Sequence, residues 1–204
     1  MAFVKWLRCL KYMTIISIII SVFTCFEFIR NSNFFTWIYH YGEKFILYGA
    51  WVVCGITIYC LYRLSSLNNR YKMSSFFYLL YFACDLACIL LLRIDFSEPM
   101  WDIMRLIYLT LSLAVLLFNI AVIYYEYTAH ADVLAKVDTS LSRKLRKMFL
   151  IELIFGIILQ EIIGFVLAGD NAGYTVIISL IDIIILSIRL DYLKRMVEIL
   201  AVDT

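Results

Sequence analysis

The chain has 204 residues, of which 64% are hydrophobic and 17% charged, and it contains a single proline. Soluble domains carry about 45–50% apolar and about 25% charged residues, so this composition excludes an ordinary soluble protein. The formal net charge of +2, without a basic face interleaved with aromatics, argues against a nucleic-acid partner.

Apolar runs bounded by charged residues recur along the chain at the length that a helix needs to cross a bilayer. The sequence therefore predicts an all-α, polytopic integral membrane protein whose six transmembrane helices form one bundle, a single domain covering residues 1–204. The predicted spans are about 12–29, 45–62, 75–92, 105–126, 149–168 and 174–190.

The first two spans have no acidic or basic residue near their centres, but the third has one. Its segment FACDLACILLL places Asp85 inside an apolar run. Tyr78, Tyr81 and Asp85 recur at helical spacing and share one face. A carboxylate that faces lipid costs about 2.5–3.5 kcal/mol, so we expect Asp85 to point into the bundle interior.

The fourth span carries a polar stripe in which Arg105, Ser112, Asn119 and Glu126 are each seven residues apart. This spacing predicts that Asn119 faces the interior of the bundle. His130 follows Glu126 by four residues, at the predicted inner membrane boundary. At that position the two side chains are expected to form a solvated pair rather than half of a zinc site.

A longer polar segment, 128–147, follows the fourth span. Its apolar residues recur at roughly helical spacing and are followed by Arg143, Lys144, Arg146 and Lys147. The pattern predicts a cytoplasmic amphipathic helix that lies on anionic lipid headgroups. Two alternatives remain open, namely a basic stop signal that orients the fifth span and a docking surface for a partner.

The fifth span repeats small and polar residues every four positions, at Glu152, Gly156, Gln160, Gly164 and Ala168. Small residues at this spacing let helix backbones approach closely, so we expect Gly156, Gly164 and Ala168 to form a packing seam with Gln160 hydrogen-bonding across it. Glu161 adds a carboxylate at membrane depth. The sixth span places Asp182 near its centre, on one face with Thr175, Ser179 and Arg189.

Lysine and arginine set the orientation, because cytoplasmic loops are enriched in them. With both termini inside, the outer side holds only Arg30, Lys44, Arg93 and Arg105. We therefore expect cytoplasmic N- and C-termini and a location in the cell membrane.

The predicted spans contain three central acids, Asp85, Glu161 and Asp182, and no lysine or arginine at the same depth. Acids of this kind are typical of proton and cation paths. We expect the protein to move protons, ions or a small cationic solute through an interior lined by these acids and by Gln160, Asn119, Tyr78 and Tyr81. This transporter would work alone or as a homo-oligomer. The alternative is a non-catalytic subunit, such as an accessory, immunity, sensor or anchor protein, that works by assembling with a partner membrane protein.

Motifs for hydrolases, zinc proteases and phosphate-binding loops do not occur in the sequence. We therefore predict no catalytic residue, metal or cofactor. An intramembrane lipid-modifying enzyme that uses carboxylates and arginines is the more distant alternative.

Overall fold

The computed structural model describes residues 2–28, 36–91, 100–166 and 171–202. Within these ranges, the side chains of 2, 26–28, 36–46, 161, 164–166, 171–175 and 202 are not described. The secondary structure there is entirely helical. The helices are α1 (Ala2–Phe28), α2 (Thr36–Leu64), α3 (Asn69–Leu91), α4 (Trp101–Leu134), α5 (Thr139–Leu153), a π-helical turn (Ile154–Ile158), α6 (Leu159–Val166) and α7 (Asn171–Val202).

Helices α5 and α6 run on through the π-helical turn without a break, so the chain has six helical segments in its described part. Each predicted span falls on a different segment, although residues 29, 92, 167 and 168 at their ends lie outside the described residues. The expected all-α architecture is confirmed. Most segments also begin before or end after the apolar run that predicted them. The residues outside each run are not uniformly apolar, so the apolar runs did not include them.

Within the described residues, four stretches are long and apolar enough to cross a membrane, namely Phe3–Cys25, Leu47–Leu64, Asn69–Leu91 and Trp101–Leu134. This property fits a helical membrane protein. The last two segments also carry charged residues: α5 begins with a basic face, and α7 carries Asp182, Arg189 and Asp191 along its length.

The six segments close into a ring in chain order. Each of α1, α2, α3 and α4 packs against the next helix, the π-helical turn and α6 contact α7, and α7 returns to pack against α1. This arrangement places one face of every segment toward a common interior.

Among the residues whose side chains are described, most of the buried hydrophobic core lies at one end of the ring. This end carries the turns at 65–68 and 135–138 and is called the turn end below. It combines the start of α1, the ends of α2 and α4, the start of α5 and the end of α7, where Leu7, Leu64, Leu134, Leu145 and Met196 are fully buried. Burial of a side chain of this size contributes about 1.5–3 kcal/mol, so these contacts stabilise the turn end.

Asp132, near the end of α4, contacts the first turn and the helices α3 and α5 at this end. Its carboxylate is 3.2 Å from the Arg70 guanidinium at the start of α3 and 3.0 Å from that of Arg146 on α5. It also accepts a 3.3 Å hydrogen bond from the Asn68 amide in the first turn. One residue of α4 therefore holds α3 and α5 in place.

The structure differs from the single amphipathic helix expected over 128–147. Helix α4 continues to Leu134, the chain turns, and α5 begins at Thr139, where the Asp138 side chain accepts a 2.9 Å hydrogen bond from the Leu141 amide. Leu134, Leu141 and Leu145 are buried against other helices. The apolar face of this segment is therefore covered by protein, and Arg143, Lys144, Arg146 and Lys147 lie on the exposed face of α5.

Candidate functional site

A cavity of about 500 Å³ lies inside the ring, and all six helical segments contribute to its wall. Ser17 and Ser21 come from α1, Trp51 and Cys54 from α2, and Asn119 from α4. The fifth segment supplies residues from α5, the π-helical turn and α6. A site that every segment lines depends on the closure of the whole ring.

Six residues that the sequence singled out as polar lining meet at this cavity. They are Asp85, Tyr78 and Tyr81 on α3, Asn119 on α4, Gln160 on α6 and Asp182 on α7. Tyr81 is close enough to both Asp85 and Asp182 to interact electrostatically with each of them. The polar stripes of four separate segments therefore converge on one volume.

The two central aspartates differ in their immediate partners. Asp182 Oδ1 accepts a 2.7 Å hydrogen bond from the Gln160 side-chain amide, which links α7 to α6. Asp85 is partly exposed to the cavity. Among the described residues, no lysine, arginine or histidine forms an ion pair with either aspartate, so the negative charge that they carry when ionised is not balanced there by the protein.

Aromatic rings of α2 and α3 form one side of the cavity. Trp51 and Phe82 meet edge to face with their ring centroids 6.5 Å apart, and Tyr78 and Tyr81 lie 5.8 Å apart. All four residues line the cavity. The wall therefore combines carboxylates with large aromatic surfaces.

Glu152 is a third cavity carboxylate, which the sequence assigned to the end of its span. It is 8% exposed, and its Oε2 accepts a 2.6 Å hydrogen bond from the Tyr127 hydroxyl. Arg189 also attracts it electrostatically. Unlike Asp85 and Asp182, Glu152 therefore has a cationic neighbour.

Beside Glu152, toward the turn end, lies a buried polar cluster, called the inner network below. It consists of Arg189 paired with Glu126, together with His130 and Tyr71. His130 Nε2 lies 3.4 Å from Glu126 Oε1, and the Tyr71 hydroxyl is 2.6 Å from His130 Nδ1. These contacts join α3, α4 and α7 between the cavity and the hydrophobic core.

The prediction of a solvated pair at Glu126 and His130 is wrong, because the two residues are 3% and 4% exposed. Both Glu126 and Arg189 had a usable sequence signal, since each lies seven residues from a cavity residue on its own stripe, Asn119 and Asp182 respectively. Their position at the ends of apolar runs concealed this, because the runs end before the helices do.

Gly156 lies in the π-helical turn and faces Ile185 of α7. A Cβ atom built on this glycine would be 2.9 Å from Ile185 Cδ1 and 3.4 Å from Glu152 Cγ. π-Helical turns within α-helices are frequent at functional sites. Here the turn brings Glu152, Gly156 and Gln160 to the cavity wall.

We expect Gly156→Leu to lower the free energy of unfolding by about 1–3 kcal/mol, because the added side chain must displace Ile185 and part of the cavity wall. Gly55→Leu is the matched control, since a Cβ atom there meets nothing within 4 Å. Both variants gain helix propensity, so the difference between them isolates the steric cost. Unfolding by SDS titration in mixed micelles measures it, and equal midpoints for the two variants would contradict the close approach.

Some predicted site residues are not placed by the structure. Glu161 and Gly164 belong to α6, but their surroundings are not among those described, and Ala168 lies outside the described residues. The packing seam is therefore described at Gly156 alone. Within the described part of the chain, no group of three or more His, Cys, Asp or Glu residues is arranged to hold a metal ion.

No family model, curated protein or solved structure matches this chain. The function of the cavity is therefore inferred from its own geometry and chemistry.

Proposed function

We propose that this protein moves a cation, whether a proton, an ion or a small cationic solute, across a membrane through the central cavity. One observation carries the proposal: Asp85 and Asp182 come from different helices, line the same cavity and have no cationic partner among the described side chains. A cation that enters the cavity meets two carboxylates that no described lysine, arginine or histidine pairs with.

The energetic cost of these aspartates supports the same proposal. An acidic residue at membrane depth costs about 2.5–3.5 kcal/mol, and such residues typically mark ion or proton paths. A structural hydrogen bond between helices is enough to explain the presence of Asp182, whose carboxylate accepts one from Gln160. Asp85 faces open volume instead, where water or a bound cation would offset its cost.

For the topology, we propose that all six segments cross the cell membrane with both termini in the cytoplasm. The turn end gathers the start of α1, the end of α7 and both short turns. The basic side chains Arg8, Arg63, Arg70, Arg146 and Arg195 belong to these same elements. Positive charge of this kind is typical of the cytoplasmic side, which would make the turn end the inner end.

In this orientation the inner network and the hydrophobic core close the cytoplasmic side of the cavity. Passage of a cation to that side would require α7 to move relative to α4, because Arg189 and Glu126 join these two helices. The proposal therefore assigns the inner network to a closed state and the cavity to the binding position.

The experiment is charge displacement in proteoliposomes adsorbed on a solid-supported membrane. Concentration jumps of H⁺, Na⁺, K⁺, choline and benzyltrimethylammonium are applied in turn. We expect at least one of them to produce a saturable current that protein-free liposomes do not give, because the cavity carries uncompensated negative charge. Folded, reconstituted protein that gives no current with any of the five cations contradicts the proposal.

A further inference from the structure

We propose that the ligand of the central cavity is an organic ammonium ion with apolar substituents, whose charge lies near Asp85 and Asp182 and whose apolar groups pack on the aromatic wall. The inference names a substrate class for the proposed function, and it rests on that function wherever it concerns transport. Binding alone can be tested separately.

The aromatic wall is the first argument. Trp51, Tyr81 and Phe82 line the same cavity as the two aspartates, and Trp51 meets Phe82 edge to face. The face of an aromatic ring attracts a cation within about 6 Å of its centroid, and tryptophan attracts most strongly. Quaternary ammonium ions are recognised in this way, because their charge is spread over a surface that holds water weakly.

The arrangement of the carboxylates is the second argument. Tyr81 lines the same cavity as Asp85 and Asp182, and the negative charge of each aspartate acts on its side chain. Gln160 holds Asp182 through one carboxylate oxygen, Oδ1. A diffuse cation that contacts Tyr81 would therefore be attracted from α3 and from α7 at once.

The size and composition of the cavity argue against a bare metal ion. Calcium and magnesium require six or more oxygen ligands at about 2.0–2.6 Å, and the described residues contain no cluster suited to a metal. The volume of about 500 Å³ falls within the range of roughly 300–1,000 Å³ that is usual for small-molecule pockets. Ile20, Val53 and Ile185 add apolar surface that an inorganic ion does not use.

Binding can be followed through Trp51, because its ring forms part of the wall. The probe is benzyltrimethylammonium, added to purified protein in which Trp6, Trp37 and Trp101 are replaced by phenylalanine. We expect saturable quenching by the probe and none by benzenesulfonate, which is similar in size but anionic. Calorimetric titration of the unmodified protein gives the same information if the three replacements impair folding.

Variants assign the binding to the proposed groups. Asp85→Asn is expected to weaken probe binding at least tenfold, and Tyr81→Leu about 30-fold, as loss of a desolvated cation–π contact predicts. Tyr59→Leu is the matched control, since Tyr59 is exposed on α2 and lies against Trp6 rather than the cavity. Its affinity should not change.

The outcomes separate this inference from the proposed function. Probe binding without any transported cation supports the inference and contradicts the proposed function. Transport of protons or Na⁺ by a protein that does not bind benzyltrimethylammonium overturns the inference and leaves the proposed function in place. Probe binding that Asp85→Asn and Tyr81→Leu leave unchanged also overturns the inference.

Discussion

Replacement of Arg189 by methionine is expected to lower the free energy of unfolding by about 3–5 kcal/mol, the cost of removing one partner from a buried ion pair. Arg189 is paired with Glu126, whose side chain is only 4% exposed. Methionine retains much of the length of arginine but none of its charge. The variant therefore leaves Glu126 buried without its cation, and it also removes the attraction that Arg189 exerts on Glu152.

SDS titration in mixed micelles measures the loss, with Arg195→Met as the matched control. Arg195 pairs with Asp191 on the surface of the same helix, where both side chains are 55% exposed, and such a pair contributes about 0.3–0.5 kcal/mol. The double variant Arg189→Met with Glu126→Gln should recover part of the loss, because it removes the uncompensated charge. Equal destabilisation by Arg189→Met and Arg195→Met would contradict the buried pair.

Asp85→Asn is expected to reduce cation transport by about 30-fold or more. The removal of one partner from a buried charge interaction costs about 2–5 kcal/mol, and each 1.4 kcal/mol corresponds to tenfold. Asparagine keeps the size of the side chain and a hydrogen-bonding oxygen but carries no negative charge. The change therefore tests the charge of Asp85 and not its volume. Charge displacement in proteoliposomes measures the effect for whichever cation the unmodified protein moves.

Asp102→Asn is the control for this variant, because it makes the same chemical change at an exposed position in the first turn of α4, outside the cavity. Its current should equal that of the unmodified protein. Asp182→Asn should resemble Asp85→Asn, since both residues line the same cavity. If Asp85→Asn and Asp102→Asn transport equally well, the carboxylate of Asp85 is not part of the path.

The sequence predicted the helical segments and much of the cavity for one physical reason. A polar side chain in an apolar helix must turn away from lipid, so the polar stripes of the helices point to a common interior. Tyr78, Asp85, Asn119 and Asp182 could each be assigned to that interior from spacing alone. Trp51 and Phe82 could not be assigned in this way, because an aromatic side chain packs equally well against lipid.

The inner network was missed because its members lie where the apolar runs end. A hydropathy boundary marks where a helix becomes polar, but not whether the polar part is solvated or covered by other helices. Glu126 and Arg189 lie at such boundaries and His130 lies beyond one, and neighbouring helices cover all three. Only tertiary packing decides between these two environments.

The division of 128–147 into two helices did have a local signal. Asp138 precedes Thr139 at the start of α5, and aspartate is among the preferred N-cap residues, which stand just before the first residue of a helix. The segment Leu64–Asn68 makes a similar turn before α3, with the Asn68 side chain accepting a hydrogen bond from the Arg70 amide. The regular spacing of apolar residues across 128–147 concealed this turn, because both of its flanking helices bury their apolar faces at the turn end.

The most direct test of the central cavity as a site for an organic ammonium ion is anomalous X-ray diffraction from crystals grown with 4-bromobenzyltrimethylammonium. The account predicts a bromine peak inside the ring of helices, next to Trp51, Asp85 and Asp182, that disappears in crystals of Asp85→Asn. Bromine peaks confined to the outer surface of the bundle, with the cavity unoccupied by the probe, would contradict it.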